Sequence, residues 1–418
     1  MSKGINFVTL LVSVPLSLRY LGTERFGLWM TIISVAALLN FADLGIGNGI
    51  LNAISEANGN DDLEAASRCV SSGFFILSVV SALIGIVFLG TYPFIAWAHV
   101  FNVSSPVAAR EAGPAMAIFF LCFVMSIPLG IVQRVQLGYQ EGFKTNAWQA
   151  AGSLMALLGL LIAIAHRADL PWLVLAVGGA PLLAASLNCA WEFTRSRPWL
   201  RPRWNLVDWG TGRKLGQIGF LFFVLQIAGA VAFSSDNLLA SQILGPSAAA
   251  RYSVAQRLFM LAPLFVGFVL TPLWPAYGEA LTRGDKPWVR RTFLRSLVGS
   301  IVAVGAVAIL LTMFATPLFS FWVGSHLTPP LALSLGLATW SVVYIVGTAI
   351  SVLLNAANVV AFQVVTSLLM AVTSVGLKVF LGGQIGIAGI IWGLVVAYCV
   401  CSLIPTAVYI RRRFRRDW

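Results

Sequence analysis

Arg19–Trp29, reading RYLGTERFGLW, is the stretch from which the rest of the chain can be read. It closes one apolar run with Leu-Gly, turns in a few polar residues, and opens the next run on an aromatic anchor. Gln242–Tyr252, reading QILGPSAAARY, repeats the pattern. Aligning Gly22 with Gly245 gives an offset of 223 residues, about half of the 418-residue chain. The same offset, to within two residues, sets the polar loop around Asn58–Asp62 against the one around Arg283–Lys286. A repeat this long predicts two structurally equivalent halves, a construction common among transporters.

Composition sets the class. Hydrophobic residues make up 59% of the chain and charged residues 10%, against roughly 25% charged in a soluble domain. The mean hydropathy of +0.88 and recurrent apolar runs of membrane-crossing length describe an all-α polytopic membrane protein. A barrel would need alternating apolar and polar residues, and these runs are continuous. The first run is not expected to be a cleaved signal, because Arg19-Tyr20-Leu21 stands where small residues would be cut. The five cysteines lie in or beside apolar runs at spacings that fit no metal set, and read as small core residues.

Twelve spans are predicted, at about 4–21, 26–54, 69–92, 113–140, 145–166, 171–193, 213–243, 247–279, 291–316, 328–356, 359–381 and 385–410. They group into a six-helix lobe at 1–194, a linker at 195–212, a second six-helix lobe at 213–410 and a basic tail at 411–418. With the N-terminus in the cytoplasm, inside loops and tail collect nineteen Lys and Arg, while outside loops hold only Arg25, Arg110 and Arg167. That asymmetry predicts cytoplasmic termini and an even number of spans. The net charge of +12 is therefore read as topology, with the tail and linker touching anionic headgroups rather than nucleic acid. The linker, rich in Arg, Pro and Trp, reads as an interfacial anchor along the inner face.

Five basic residues remain inside the spans: Arg19, Arg134, Arg251, Arg257 and Lys378. Ionisable groups in hydrocarbon are costly and usually face a water-filled cavity or a partner. Arg19 and Lys378 sit near outer ends and can snorkel, so for each a structural role and a substrate-binding role in the cavity stand level. Arg257 lies about ten residues into its helix, roughly 15 Å deep, and Arg134 is similarly deep, so a cavity role is expected of both. Asp236 is expected to pair with Arg251 or Arg257, as a structural ion pair or as a protonatable switch. Asp43, in FADLGIGNG, is expected to pair with Arg134, and the alternating glycines to let a helix bend or pack closely. The prolines of TPLWPAYGEA (271–280) should bend their helix and free backbone carbonyls. Catalytic, nucleotide-binding and metal-ligand patterns are absent from the sequence, so neither enzyme activity nor a cofactor is expected.

At these residues a resemblance can be stated. YLGTERFGLWMTIISVAALLNFADLGIGNGILNAISEAN (20–58) resembles the N-terminal signature of the bacterial polysaccharide transporters, the oligosaccharide and O-antigen flippases. SSDNLLASQILGPSAAARYSVAQRL (234–258) looks like the matching start of a second lobe. The family belongs to the superfamily of multidrug and toxic compound extruders. The resemblance implies two pseudo-symmetric six-helix lobes around a central cavity, working by alternating access in the bacterial cytoplasmic membrane. It implies undecaprenyl-diphosphate-linked oligosaccharide as substrate, with polysaccharide polymerase or glycosyltransferases as partners. Cationic cavity residues would hold the diphosphate, a use that Arg19, Arg25, Arg251 and Arg257 match by position. The forked guanidinium suits that task. The start departs from the family pattern, since only three residues precede the first span; a late start site or a lost amphipathic lead-in is expected.

Two other readings stand beside this one. A cation-coupled small-molecule extruder of the same superfamily would have a less basic cavity. A membrane-embedded sugar polymerase or ligase would need a large outer loop with catalytic residues, and the outer loops here are short.

Overall fold

The computed structural model describes residues 16–17, 19–22, 24–33, 42–101, 103, 105–322 and 328–416. The expected first span, and the middle of the second, lie largely outside these residues. Among the described residues all regular structure is helical, and ten helices are long and apolar enough to cross a membrane. These ten match the expected spans three to twelve in order, from Leu63–Phe94 to Ile387–Arg412.

Contacts divide the chain into two units, Met1–Gly219 and Phe220–Trp418. The first contains α1 (Ile46–Gly59), α2 (Leu63–Thr91), α3 (Pro106–Leu129), α4 (Ile131–Gly138), α5 (Gly142–Ala165) and α6 (Leu170–Trp191). The boundary falls inside α7 (Trp209–Leu244). The second unit continues with α8 (Pro246–Phe259), α9 (Leu261–Leu270), α10 (Leu273–Thr282), α11 (Lys286–Met313), α12 (Leu331–Ala356), α13 (Val360–Ile385), α14 (Ile387–Tyr398) and α15 (Ile404–Arg416).

The helices start where polar caps meet apolar runs. The Asp62 carboxylate accepts from Ala65 N at 2.8 Å and opens α2. Asp285, 223 residues later, does the same for α11 by accepting from Trp288 N at 3.1 Å. Each cap satisfies an amide that the helix leaves open, a contribution of about 1 kcal/mol. In the stretch after Gly245, α8 ends at Phe259 and α9 at Leu270. Pro263 and Pro275 then fall in the first turns of α9 and α10, where the missing amide hydrogen costs nothing. Where a bend was expected, the helix is interrupted twice.

The internal repeat is visible in the backbone. Gly22 and Gly245 both take positive φ, 74° and 90°. So do Asp61 and Gly284, Gln140 and Asn358, and Arg167 and Gly386. Every pair joins the same two elements in each half, and Gly22, Gly245, Gly284 and Gly386 supply the left-handed turn without a Cβ penalty.

In the first unit, one core gathers Ile46, Ile50 and Ile54 of α1 with Val70 and Leu77 of α2, Ile131 and Val135 of α4, and Leu215 of α7. In the second, Trp340 and Leu337 of α12 pack with Tyr252 and Phe259 of α8 and Ile391 and Leu394 of α14. The 195–212 segment is not a free tether. Leu200 is fully buried, Ser67 Oγ donates to Trp199 O at 3.1 Å, and Arg203 N and Asp208 N donate to Ser71 Oγ and Ser72 Oγ. It is clasped to α2 by three serines, while Trp204 and Trp209 stay exposed.

Candidate functional site

The first charged site grows out of FADLGIGNG. Leu44 and Gly45 take left-handed backbone, φ 49° and 72°, in the tight turn that leads into α1. Asp43 pins that turn: Oδ1 accepts from Gly45 N at 2.9 Å. Its other oxygen faces α4, where Arg134 Nη2 lies 3.6 Å from Oδ2. Arg134 Nη1 also donates to Asn48 Oδ1 at 3.0 Å. Gly47 makes room for this arrangement, because a Cβ there would lie 2.7 Å from both Arg134 Nε and Asp43 Oδ2. The guanidinium keeps a third of its side chain exposed, so a charged fork inside an apolar span remains open to another anion.

The second site is fully buried. Lys378 of α13 and Asp236 of α7 are 0% and 1% exposed and form an ion pair. The Lys378 ammonium also donates to Ala232 O and to Ser235 Oγ. Tyr252 donates its hydroxyl to Asp236 Oδ2 at 2.6 Å, and Gln256 Nε2 donates to the same oxygen at 3.3 Å. Two sequence expectations are corrected here. Lys378 neither snorkels nor faces an open cavity as a substrate-binding cation: it is fully buried against Asp236. The arginine partner expected for Asp236 gives way to this lysine. The cause is close packing, since Ala228 and Ala232 of α7 meet Met370 and Ala371 of α13. Small side chains bring the two helices near enough for the lysine to end on α7. On its far side, α13 is approached by Gly389 and Gly393 of α14, where a Gly393 Cβ would lie 2.8 Å from Lys378 N.

The other expected residues are placed differently. Arg25 is held by Glu111, with Nε and Nη2 each 2.6 Å from a carboxylate oxygen, a bidentate pair in which Glu111 also accepts from Leu170 N. Arg19 is exposed in the helical stretch 19–22. Arg251 is half-buried and Arg257 exposed, the latter in the last turn of α8.

Sequence reasoning missed a polar clasp where α4, α5 and α6 end. Gln136, Thr145, Asn188 and Glu192 hydrogen-bond one another in the interior. Arg197 reaches in to Glu141 at 2.7 Å and to Glu192, and lies 4.1 Å over the Tyr139 ring. Lys144 adds a bond to Glu141 at 2.8 Å. Burial alone would raise the Glu141 carboxyl, but the bonds and charges of Arg197 and Lys144 outweigh it and hold it below the usual range. Burial pulls Arg197 down, and its two carboxylates push it above its ordinary value. The available signal was Glu192, an acid ending an apolar span with an arginine five residues on.

Among the described residues, no group of three or more His, Cys, Asp or Glu side chains could hold a metal ion, and all five cysteines are free.

The sequence profile of a family described as polysaccharide biosynthesis protein matches residues 1–281. A Salmonella typhi protein assigned as an O-antigen transporter is 23% identical over 319 residues, 73% of this chain and 69% of that one. A Salmonella typhimurium protein with the same assignment is 23% identical over 330 residues, 77% of this chain and 73% of that one. Among solved structures, the outward-facing conformation of a multidrug resistance MATE family transporter of the MOP superfamily aligns with a TM-score of 0.82 at 14% identity. That match covers 100% of this chain and 94% of the other. A MOP superfamily transporter from Pyrococcus furiosus, described by a reversed polarity of its binding pocket, aligns with a TM-score of 0.81 at 14% identity, covering 99% and 92%. At such identities the solved structures speak for the fold alone.

Proposed function

Because the chain belongs to the polysaccharide biosynthesis protein family, we propose that it is a transporter that flips a lipid-linked oligosaccharide across the bacterial cytoplasmic membrane. The substrate in this reading is undecaprenyl-diphosphate-linked oligosaccharide, carried from the inner to the outer leaflet by alternating access. The lobes are 1–194 and 213–410, joined at 195–212, with both termini cytoplasmic. Polymerase or glycosyltransferases would act before and after it, and the protein itself is not an enzyme.

The observation that carries the reading is Arg134. A guanidinium inside the Pro106–Gly138 span, fixed by Asn48 and Asp43 and one-third exposed, suits a diphosphate better than a cationic drug. The assignments of the two Salmonella relatives point the same way. The extruder reading draws on one observation, the buried carboxylate of Asp236, which could couple transport to a cation. In this chain that carboxylate already holds a lysine.

The test is flipping of fluorescent undecaprenyl-diphosphate-oligosaccharide in proteoliposomes. Wild type should flip it, Arg134→Ala should slow it at least about tenfold, the order of one lost charged contact, and Arg134→Lys should restore part of the rate. Arg257→Ala, on an exposed side chain, measures whether a second cation contributes. A folded wild type that ignores the lipid but moves small amphiphilic cations would favour the extruder.

A further inference from the structure

We propose that Lys378 acts as a tethered cation seated in a nest of oxygen atoms, and that removing its side chain leaves a binding site for a monovalent metal ion. An ammonium has three donors, and here they meet the Asp236 carboxylate, the Ala232 carbonyl and the Ser235 hydroxyl. Carboxylate, carbonyl and hydroxyl oxygens are also the donors a hard cation takes. Three of the groups follow from helix geometry: Ala232, Ser235 and Asp236 are spaced i, i+3 and i+4, so one face of α7 presents all three oxygens together. The wall is completed by Tyr252, fully buried, and Gln256, both of which donate to the far carboxylate oxygen and hold it in place.

A bare carboxylate here would be severely penalised, so the site must always hold a positive charge or a proton. In the native chain the charge is covalent. The second unit therefore carries its counter-ion with it, and neither Na+ nor K+ should enter. This goes beyond the transport reading, and its measurement does not use transport.

The experiment measures thermal stability of the purified full-length protein in detergent, in choline chloride and with added NaCl, KCl or LiCl at constant ionic strength. Wild type should show the same Tm in all four salts. Lys378→Ala should melt lower in choline and regain about 3–5 °C on saturation with one alkali cation, the size expected of a ligand well above its Kd. Lys378→Ala/Asp236→Asn should not respond, which separates the nest from general salt effects. A Lys378→Ala protein that folds only with an alkali cation present would support the site equally.

Several outcomes would overturn it. One is a Lys378→Ala Tm that ignores the cation, or that responds only to acid, because a proton then neutralises Asp236. Another is equal salt dependence in wild type. The last is a Lys378→Ala protein that folds in no salt while Lys378→Met/Asp236→Asn folds in all, because the nest then accepts no ion.

Discussion

At the scale of single residues, two glycines separate function from stability. Gly47 borders the flexible ends of Arg134 and Asp43, which can move aside for a methyl group. Gly47→Ala should therefore fold with nearly unchanged Tm yet displace the pair, and reduce lipid flipping as Arg134→Ala does; normal flipping would detach Arg134 from the substrate. Gly393 instead faces the backbone of Lys378 at 2.8 Å, which cannot yield so easily. Gly393→Ala should cost about 1–3 kcal/mol by overpacking, read as a lowered Tm. The Asp43–Arg134 contact could be read from the sequence because the expected spans place both residues in the inner half of the membrane. Lys378 could not be read that way. Its distance from the nearest span end suggests snorkelling, and only the alanine seam between α7 and α13 shows that it points inward.

At the scale of elements, the clasp around Glu141 ties the 195–212 segment to the ends of α4 to α6. Glu141 titrates below its ordinary value, so its contribution is present above the unfolded pKa, about 4.3, and is lost as pH falls through the lower folded pKa. Wild type should thus lose part of its Tm below about pH 4, and Glu141→Gln should lie lower at neutral pH with a flatter acid profile. Parallel profiles would place the acid sensitivity elsewhere. The helices bounding this clasp were legible as continuous apolar runs. The clasp was not, because its arginine and lysine also satisfy a charge-asymmetry reading, and because the π turn at Glu192–Ser196 that aims Arg197 has no sequence signal.

At the scale of the whole molecule, the basic residues predict that Asp208 and Arg412 lie on the cytoplasmic side and Arg110 and Arg167 outside. Single cysteines at these positions, in a chain whose five native cysteines are replaced, can be labelled in intact cells with a membrane-impermeant maleimide. Only positions 110 and 167 should react, and the converse pattern would invert the orientation. The repeat was legible because turns are written in glycine and short polar residues, whereas among the described residues the buried charged contacts differ between the halves and left nothing to align. The paired left-handed residues also keep a record of change. Gly22 and Gly245, and Asp61 and Gly284, are 223 residues apart, but Gln140 and Asn358 are 218 apart. Between the second and third pairs the first half is five residues longer, 79 against 74: both of its spans there are longer, 32 and 33 residues at Leu63–Phe94 and Pro106–Gly138 against 28 and 26 at Lys286–Met313 and Leu331–Ala356, and the connection between them is shorter. The seven-residue excess of Pro106–Gly138 over Leu331–Ala356 alone is about 10 Å of helix. The two halves are thus twins in the order of their turns and unlike in reach, and the larger difference falls in the span that carries Arg134.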